Sequence, residues 1–376
     1  MARTACASPA LSSATTTTPL EDLRVWLARH NLDAVYVTKP VSIAYLTGFH
    51  AEPFERLMAL AVRRDSATLI VPALEQEKAN RHSDLAEVVA WRDGEDAYAL
   101  VRAALEGCVE VGVEKEHMSL LAAEMLIART AAREMIDVSP EIRRLRRIKS
   151  QSEIEKLARA ASITDAVTDD VIKQLRAGQT ELEVAVLIGA AIGQHGGTLS
   201  FESLVQSGPN SALPHMRPTS RKLAAGDFVL LDFGAAYDGF HADTTRMAVV
   251  GEPTARHQEI HSLVLAAHDA AMAAVRAGTT TGAVDAAARQ VIEAGGMGDR
   301  FFHRVGHGLG LEAHEDPSVD PGSATLLEAG MVFTIEPGIY IPGWGGVRIE
   351  DDIVVERSGC RVLTKADRSF HVIPES

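Results

Sequence analysis

The sequence has little with which to cross-link itself, bind nucleic acid or span a membrane. Its 376 residues include three cysteines, Cys6, Cys108 and Cys360. They are far apart and odd in number, which excludes a disulfide framework and a cysteine-based zinc site and fits a reducing compartment. Basic residues are outnumbered, 37 Lys and Arg against 51 Asp and Glu, for a formal charge of −14. Nucleic acid and anionic membranes need a positive face, so neither is expected as a partner. No apolar run reaches the roughly 18 residues that span a bilayer. The segment 1–18, MARTACASPALSSATTTT, lacks the apolar stretch of a secretory signal and reads as a disordered tail, with the cytoplasm as the default location. What the chain does have is 46% hydrophobic and 23% charged residues, the composition of a globular protein, at a length that suggests two domains.

Thr18-Pro19 can open a helix, and Leu20, Leu23, Val25, Trp26 and Leu27 give it an apolar face. Ala34–Val37, Leu57–Val62 and Ala67–Val71 read as strands, the last two joined by a turn at Arg63-Arg64-Asp65-Ser66. Helical stretches near Glu75–Ala79, Ala97–Leu105 and Leu120–Ala132 alternate with strands near Val109–Val113 and Met135–Val138, an α/β pattern. The basic run RRLRRIKS near Arg143–Lys149 reads as a solvated linker. Ser150-Gln151-Ser152-Glu153 then forms a capping box. The expected domains are therefore an α/β domain over 19–145 and a larger one over 146–376. In the latter, helices are expected at Ile154–Leu175, Thr180–Gln194, Thr254–Ala277 and Thr281–Ala294, partly segregated from the strands, so the class is α+β. Gly306-His307-Gly308-Leu309-Gly310 has no Gly-Lys-Ser/Thr ending and is not a phosphate loop. No internal repeat shows by identity.

Two strand pairs carry the chemistry. Phe228-Val229-Leu230-Leu231-Asp232 is an apolar strand ending in an acid, and the chain returns through Phe240-His241-Ala242-Asp243. With Tyr237-Asp238 as the turn, Asp243 lies opposite Asp232. With Asp238-Gly239, it faces Gly234, still on the face of Asp232. Either way two like charges share a face, which costs stability unless a cation intervenes. The pattern recurs. Val332-Phe333-Thr334-Ile335-Glu336 runs to a turn at Pro342–Gly346 and returns through Val347-Arg348-Ile349-Glu350, with Glu336 and Glu350 of equal parity about Gly343. One such hairpin could be a turn acid and a surface acid; two in one domain point to bound cations. His307, between two glycines, suits a metal. Four acids and one imidazole favour Mn, Co, Fe or Zn, and two ions rather than one. His303, His307 and His314 cluster within twelve residues, and His215 and His314 are candidate proton carriers.

The segments SGPNSALPH, LLDFGAAYDGFHADTTR, HRVGHGLGLEAHE, FTIEPGIY and GVRIED together resemble the pita-bread metallopeptidases, which include methionine aminopeptidase, Xaa-Pro aminopeptidase, prolidase and the metal-free creatinase. IAYLTGF and RRIKSQSEI are similar to the creatinase–prolidase branch. The resemblance implies a C-terminal pita-bread (creatinase/aminopeptidase-like) catalytic domain after a smaller creatinase-type α/β domain. It implies two divalent ions (Mn, Co or Zn): Asp232 binding the first through both oxygens, Asp243 and Glu350 bridging, His307 and Glu336 completing the second. His215 and His314 would contact the substrate carbonyl and His303 the substrate. Arg348 would organise the site, and Phe201, Leu204 and Ala313 would lie near the pocket for the first side chain. The loop HAEPFERLMALAV, with Arg56, is similar to one that small bacterial Xaa-Pro dipeptidases hold near the partner subunit's active site, which implies a homodimer.

The activity so implied is Xaa-Pro dipeptidase, with a metal-bridging water attacking the carbonyl and Glu336 taking its proton. The Xaa–Pro amide has no N–H, so enzymes that grip that hydrogen cannot use it. A dipeptide also presents a carboxylate, for which Arg348, Arg304, His303 and Arg56 are candidates. The rivals are an Xaa-Pro aminopeptidase acting on longer peptides, a small-molecule C–N hydrolase or lyase, and a non-catalytic binding protein, against which the presence of all five ligands speaks.

Overall fold

The computed structural model describes residues 18–82 and 84–375; apart from Thr18, the tail expected over 1–18 lies outside them. Two compact units divide the chain, the first ending at Leu145 and the second starting at Arg146. Among the described residues no helix is long and apolar enough to cross a membrane.

The first unit opens with α1 (Pro19–Arg29), where Thr18 Oγ accepts the Glu21 N–H and the Glu21 carboxylate accepts the Thr18 N–H. There follow β1 (Ala34–Val37), α2 (Pro40–Thr47), β2 (Ala59–Val62), β3 (Ala67–Pro72), α3 (Gln76–His82), β4 (Glu87–Trp91), α4 (Ala97–Ala104), β5 (Glu110–Val113), α5 (Leu120–Arg129), β6 (Glu134–Asp137) and α6 (Ser139–Arg147). The strands form one mixed sheet in the order β4-β3-β2-β1-β5-β6. Strand periodicity divides its apolar residues. Val35, Val37, Leu60 and Val62 pack with Leu20, Leu23 and Leu27 of α1. Ala34, Tyr36, Ala59 and Ala61 pack with Val101 of α4 and Leu126 of α5. Both faces are thus buried under helices.

Sequence reasoning did not foresee α2, β4 or α6. α2 has no side-chain cap, and β4 is partly exposed along its length and reads weakly as apolar. The Arg-rich run is not a solvated linker: Arg143–Arg147 continue α6, and Arg146 and Lys149 are buried. Their charges meet Glu315, Arg146 at 2.6 Å and Lys149 at 3.4 Å. A run of charges looks solvated until a distant acid claims it.

The second unit comprises α7 (Gln151–Gln174), α8 (Glu181–Gln194), β7 (Thr198–Leu199), β8 (Leu204–Ser207), β9 (Phe228–Phe233), β10 (Ala235–Tyr237), β11 (Phe240–His241), β12 (Thr244–Val250), α9 (Ala255–Ala274), α10 (Thr281–Ala294), β13 (Gly306–Gly308), β14 (Glu315–Val319), β15 (Val332–Ile335), β16 (Gly338–Ile341), β17 (Gly345–Arg348), β18 (Asp351–Glu356), β19 (Gly359–Val362) and β20 (His371–Ile373). The expected capping box of Ser150 and Glu153 starts α7. Two sheets, β20-β12-β9-β8 and β14-β13-β15-β18-β19, carry the acid hairpins. Val229, Leu231 and Phe233 pack against α7 and α8, whereas Phe228 and Leu230 turn to the core under α9 and α10. The acids are therefore mounted on strands buried on both faces, a rigid support.

The two halves of this unit repeat. Gly178 (φ 86°) donates to Leu223 O before Thr180 caps α8, and Gly278 (φ 85°) donates to Leu327 O before Thr280 caps α10. The matching residues are Arg176-Ala177-Gly178 with Thr180 and Arg276-Ala277-Gly278 with Thr280. They escape an identity search because only the turn, which needs Gly at positive φ, preserves them.

Candidate metal centre and substrate cavity

The first hairpin takes the second of the two registers open to it. Tyr237 pairs with Phe240 and Thr245 with Asp232, so the turn is Asp238-Gly239, both at positive φ. Asp243 then faces Gly234, where the ladder is broken. A Cβ on Gly234 would lie 1.7 Å from Ala242 O, so only glycine permits the close approach. In the second hairpin Gly338 pairs with Arg348 and Ile335 with Asp351, which sets Glu336 opposite Glu350. Pro337, without an N–H, interrupts this ladder. The freed backbone groups reach elsewhere: Glu336 N donates to Val305 O and Glu350 N to Thr245 O of the first hairpin. The breaks that splay each pair also stitch the hairpins together.

His307 sits in β13, between β14 and β15. Its neighbouring glycines do not expose it; the residue is buried. They allow the strands to close, since a Cβ on Gly306 would lie 1.8 Å from Thr334 O and one on Gly308 2.2 Å from Asp316 O. His307 Nδ1 lies 3.1 Å from the Gly308 carbonyl, which can only accept, so the proton is on Nδ1. Nε2 is left with its lone pair towards Glu336, at 3.4 Å, and Asp243, at 3.7 Å. Burial, with the neighbouring His314 and Arg304 adding to it, pushes this imidazole down to about 3, so it is neutral and able to ligate.

Asp243, His307 and Glu350 offer ligand atoms all within 4.8 Å of one another, a group that could hold a metal ion. Asp232 is bonded to Arg348 Nη2. Glu336 and Glu350 lie 3.9 and 3.8 Å from Arg348 Nε. One buried guanidinium thus serves three acids of a cluster of four, and the deficit shows in every carboxyl. Burial, then Glu350 and Asp232, drives Asp243 well up. Burial, then Glu336 and Asp232, does the same to Glu350. Burial raises Asp232 against the pull of Arg348 and carries Glu336 to about 7. Asp243 Oδ1 is buried with no hydrogen-bond partner. An under-compensated, oxygen-rich cluster with a free imidazole lone pair fits divalent metal.

These groups line a cavity of 810 Å³ together with His215, His303, Arg304 and His314 and with Phe201, Leu204, Leu213, Met216, Phe302 and Tyr340. Of the second-unit residues expected here, Ala313 is not in the lining. Arg56 belongs to the first unit, where both Nε and Nη2 bond Asp93. His303 lines the cavity with no nitrogen to spare. Nδ1 donates to Arg304 O at 2.7 Å, and Nε2 accepts from Tyr340 Oη at 3.0 Å. Burial lowers it to about 4, so it is neutral. Tyr340 Oη in turn accepts from Arg348 Nη1, and Arg348 Nε donates to Thr245 Oγ. Every part of the Arg348 fork has a protein partner.

Tyr340 and Thr245 were missed, although strand parity could have found both: Tyr340 alternates with Glu336, and Thr245 with Asp243. The supports of the histidines were not legible. Gln206 Nε2 contacts the carbonyls of Leu213, Pro214 and Met216 around His215. Arg289, held by Asp285, donates to the carbonyls of Phe301 and His303. Glu315, next to His314, is the acid that claims Arg146 and Lys149; burial would raise it, but those two cations hold it below the usual range.

Residues 155–357 match the family described as Metallopeptidase family M24, and residues 19–148 match the Creatinase/Prolidase N-terminal domain. The chain belongs to metallopeptidase family M24. The second unit is its pita-bread catalytic domain, and the whole is mixed α+β, as expected. An uncharacterized peptidase of Staphylococcus aureus strain bovine RF122 is 38% identical over 91% of this chain and 97% of its own. A Bacillus anthracis Xaa-Pro dipeptidase structure is similar at a TM-score of 0.89 and 34% identity, over 94% of this chain and 99% of that one. A dipeptidase from Pyrococcus horikoshii OT3 matches at 0.89 and 36%, over 95% and 100%. An X-Pro aminopeptidase from Thermotoga maritima MSB8 matches at 0.85 and 32%, over 91% and 98%. M24 membership fits the acid cluster: a metallopeptidase needs a metal site, and Asp243, His307 and Glu350 are a group that could hold one.

Proposed function

We propose that this M24 enzyme is an Xaa-Pro dipeptidase using two divalent ions, working as a homodimer in the cytoplasm. The observation that carries the reading is the under-compensated cluster of Asp232, Asp243, His307, Glu336 and Glu350 opening into a cavity with apolar walls and neutral histidines. The named dipeptidases at 34 and 36% identity support the substrate class.

Those five side chains would hold the ions. When bound, such a pair supplies Lewis acidity and a water activated at neutral pH. The residues around them do the rest. Glu336 has the most exposed side chain of the carboxylates, 15% against 2% for Glu350, so it is the acid most open to the cavity and the one that takes a proton there. Burial, then the Arg304 charge, keeps His314 neutral at pH 7, so it can donate its ring N–H to the developing oxyanion. His215 lines the same cavity and shares this task. None of these contacts needs an amide hydrogen, and the Xaa–Pro bond has none.

Metal analysis paired with a panel of Xaa-Pro dipeptides and Xaa-Pro-Yaa tripeptides tests this reading. Activity that returns on adding divalent metal to stripped enzyme, with dipeptides preferred, is the expected result. Idle dipeptides beside rapid tripeptide cleavage would turn the assignment to the aminopeptidase that the Thermotoga maritima neighbour represents.

A further inference from the structure

A dipeptide's free carboxylate must find a cation, and among the described residues that line the cavity one arginine has no carboxylate partner. Arg348 is consumed by Asp232, Tyr340 and Thr245. His303 is neutral, with both nitrogens bonded. Arg56, in the first unit, is bound through Nε and Nη2 by Asp93. Arg304 is different. It lines the cavity, it is half-buried, and its one printed side-chain bond is from Nη1 to Ser318 Oγ at 2.7 Å. Among the described residues no carboxylate forms an ion pair with it, so Nε and Nη2 retain donors for a ligand.

Its position follows from the strands. Arg304 immediately precedes Val305, whose N–H is held by Asp285 and whose carbonyl accepts from Glu336 N. Ser318 is paired with His307 across β13 and β14. The guanidinium is therefore tied beside the imidazole of the metal cluster, and its charge is felt at His307, His314 and Glu336. A permanently charged fork, anchored by one nitrogen and open at the others, suits a bidentate carboxylate.

We propose that Arg304 binds the α-carboxylate of the substrate's C-terminal residue and so makes the enzyme select dipeptides over longer peptides; the proposal rests on the Xaa-Pro dipeptidase reading. A tripeptide carries an uncharged peptide group where a dipeptide carries this carboxylate, and leaves the guanidinium unpaired.

The test compares an Xaa-Pro dipeptide with its C-terminal amide, which has the same scissile bond and no charge. Wild type should prefer the acid, and Arg304→Gln should raise KM for the acid by about tenfold to a hundredfold more than KM for the amide, the range for a charge-assisted hydrogen bond. An acid-to-amide preference that survives in Arg304→Gln overturns the proposal, as does an equal loss on both substrates in folded protein. Inhibition of wild type by L-proline and by L-prolinamide needs no variant: proline should bind at least tenfold more tightly, and equal inhibition overturns the proposal. Hydrolysis of Xaa-Pro substrates with no such discrimination rejects Arg304 alone, whereas absence of any Xaa-Pro hydrolysis rejects the underlying reading with it.

Discussion

Glu350 and Asp351 are adjacent and both buried, yet their electrostatic surroundings are opposite. Asp351 meets two cations, Arg246 at 2.7 Å and Arg368 Nε, and beside them lie His268 at 3.1 Å and Thr364 Oγ, which donates as well. Burial would raise its carboxyl, but His268 and the two arginines force it far below the ordinary range. Glu350, facing the other way, has Thr245 and a share of one arginine among three further acids, and is driven well up. The fold therefore can neutralise a buried acid with its own side chains and does so on one face of this turn. On the other it leaves the charge open, which is what a metal-binding face requires.

Removing a ligand should expose the difference most strongly. Asp243→Asn or Glu350→Gln should lower kcat/KM by about a thousandfold or more, equivalent to the transition-state stabilisation that Lewis-acid catalysis contributes. The metal-free variant should melt no lower than metal-free wild type, because a repulsive charge has gone. Full activity in either variant, after stripping and reconstitution with metal, would break the comparison. Asp351→Ala should behave in the reverse way, costing about 3–5 kcal/mol of stability by stranding the buried Arg246 guanidinium. Urea unfolding measures it, and a loss below about 1 kcal/mol would show that Asp351 is not a structural counterpart.

The same contrast gives a pH dependence. Glu336 is raised from 4.5 to about 7 in the folded protein, so the native state holds its proton where the unfolded chain has lost it. Its contribution is fully present below 4.5 and is lost as pH rises through 7. Metal-free enzyme should therefore lose stability across this window, and saturating metal should reverse the trend, since binding favours the ionised ligands. Melting temperatures with and without metal from pH 4.5 to 8 measure this; parallel profiles would sink it. A smaller effect is expected from Tyr340→Phe. It removes the hydroxyl between Arg348 and His303 and should reduce kcat by about tenfold, the worth of one buried hydrogen bond, with metal content unchanged. Lost metal would instead assign Tyr340 to the metal floor.

Much of the site was legible because strand geometry is local. Parity alone set Asp232 with Asp243 and Glu336 with Glu350, and the close approach at Gly234 chose between the two registers left open. Capping boxes at Thr18 and Ser150 marked their helices for the same reason: partners three residues apart need no tertiary structure. The basic run at Arg143–Lys149 misled because its partner, Glu315, is more than 160 residues away. His303 and Arg304 are neighbours that looked interchangeable as carboxylate binders. Tyr340 closes off the first, and nothing in the described chain closes off the second.

By itself the sequence determined which acids could share a face and where the capped helices α1 and α7 begin, and it pointed to cations in the second unit, because backbone periodicity and capping act within a few residues. Only the tertiary structure decided which buried charges are compensated and which stay open. Compensation depends on which groups the folded chain brings within a few ångströms, and Arg246, Arg348 and Arg304 meet such different neighbours only once the strands have closed.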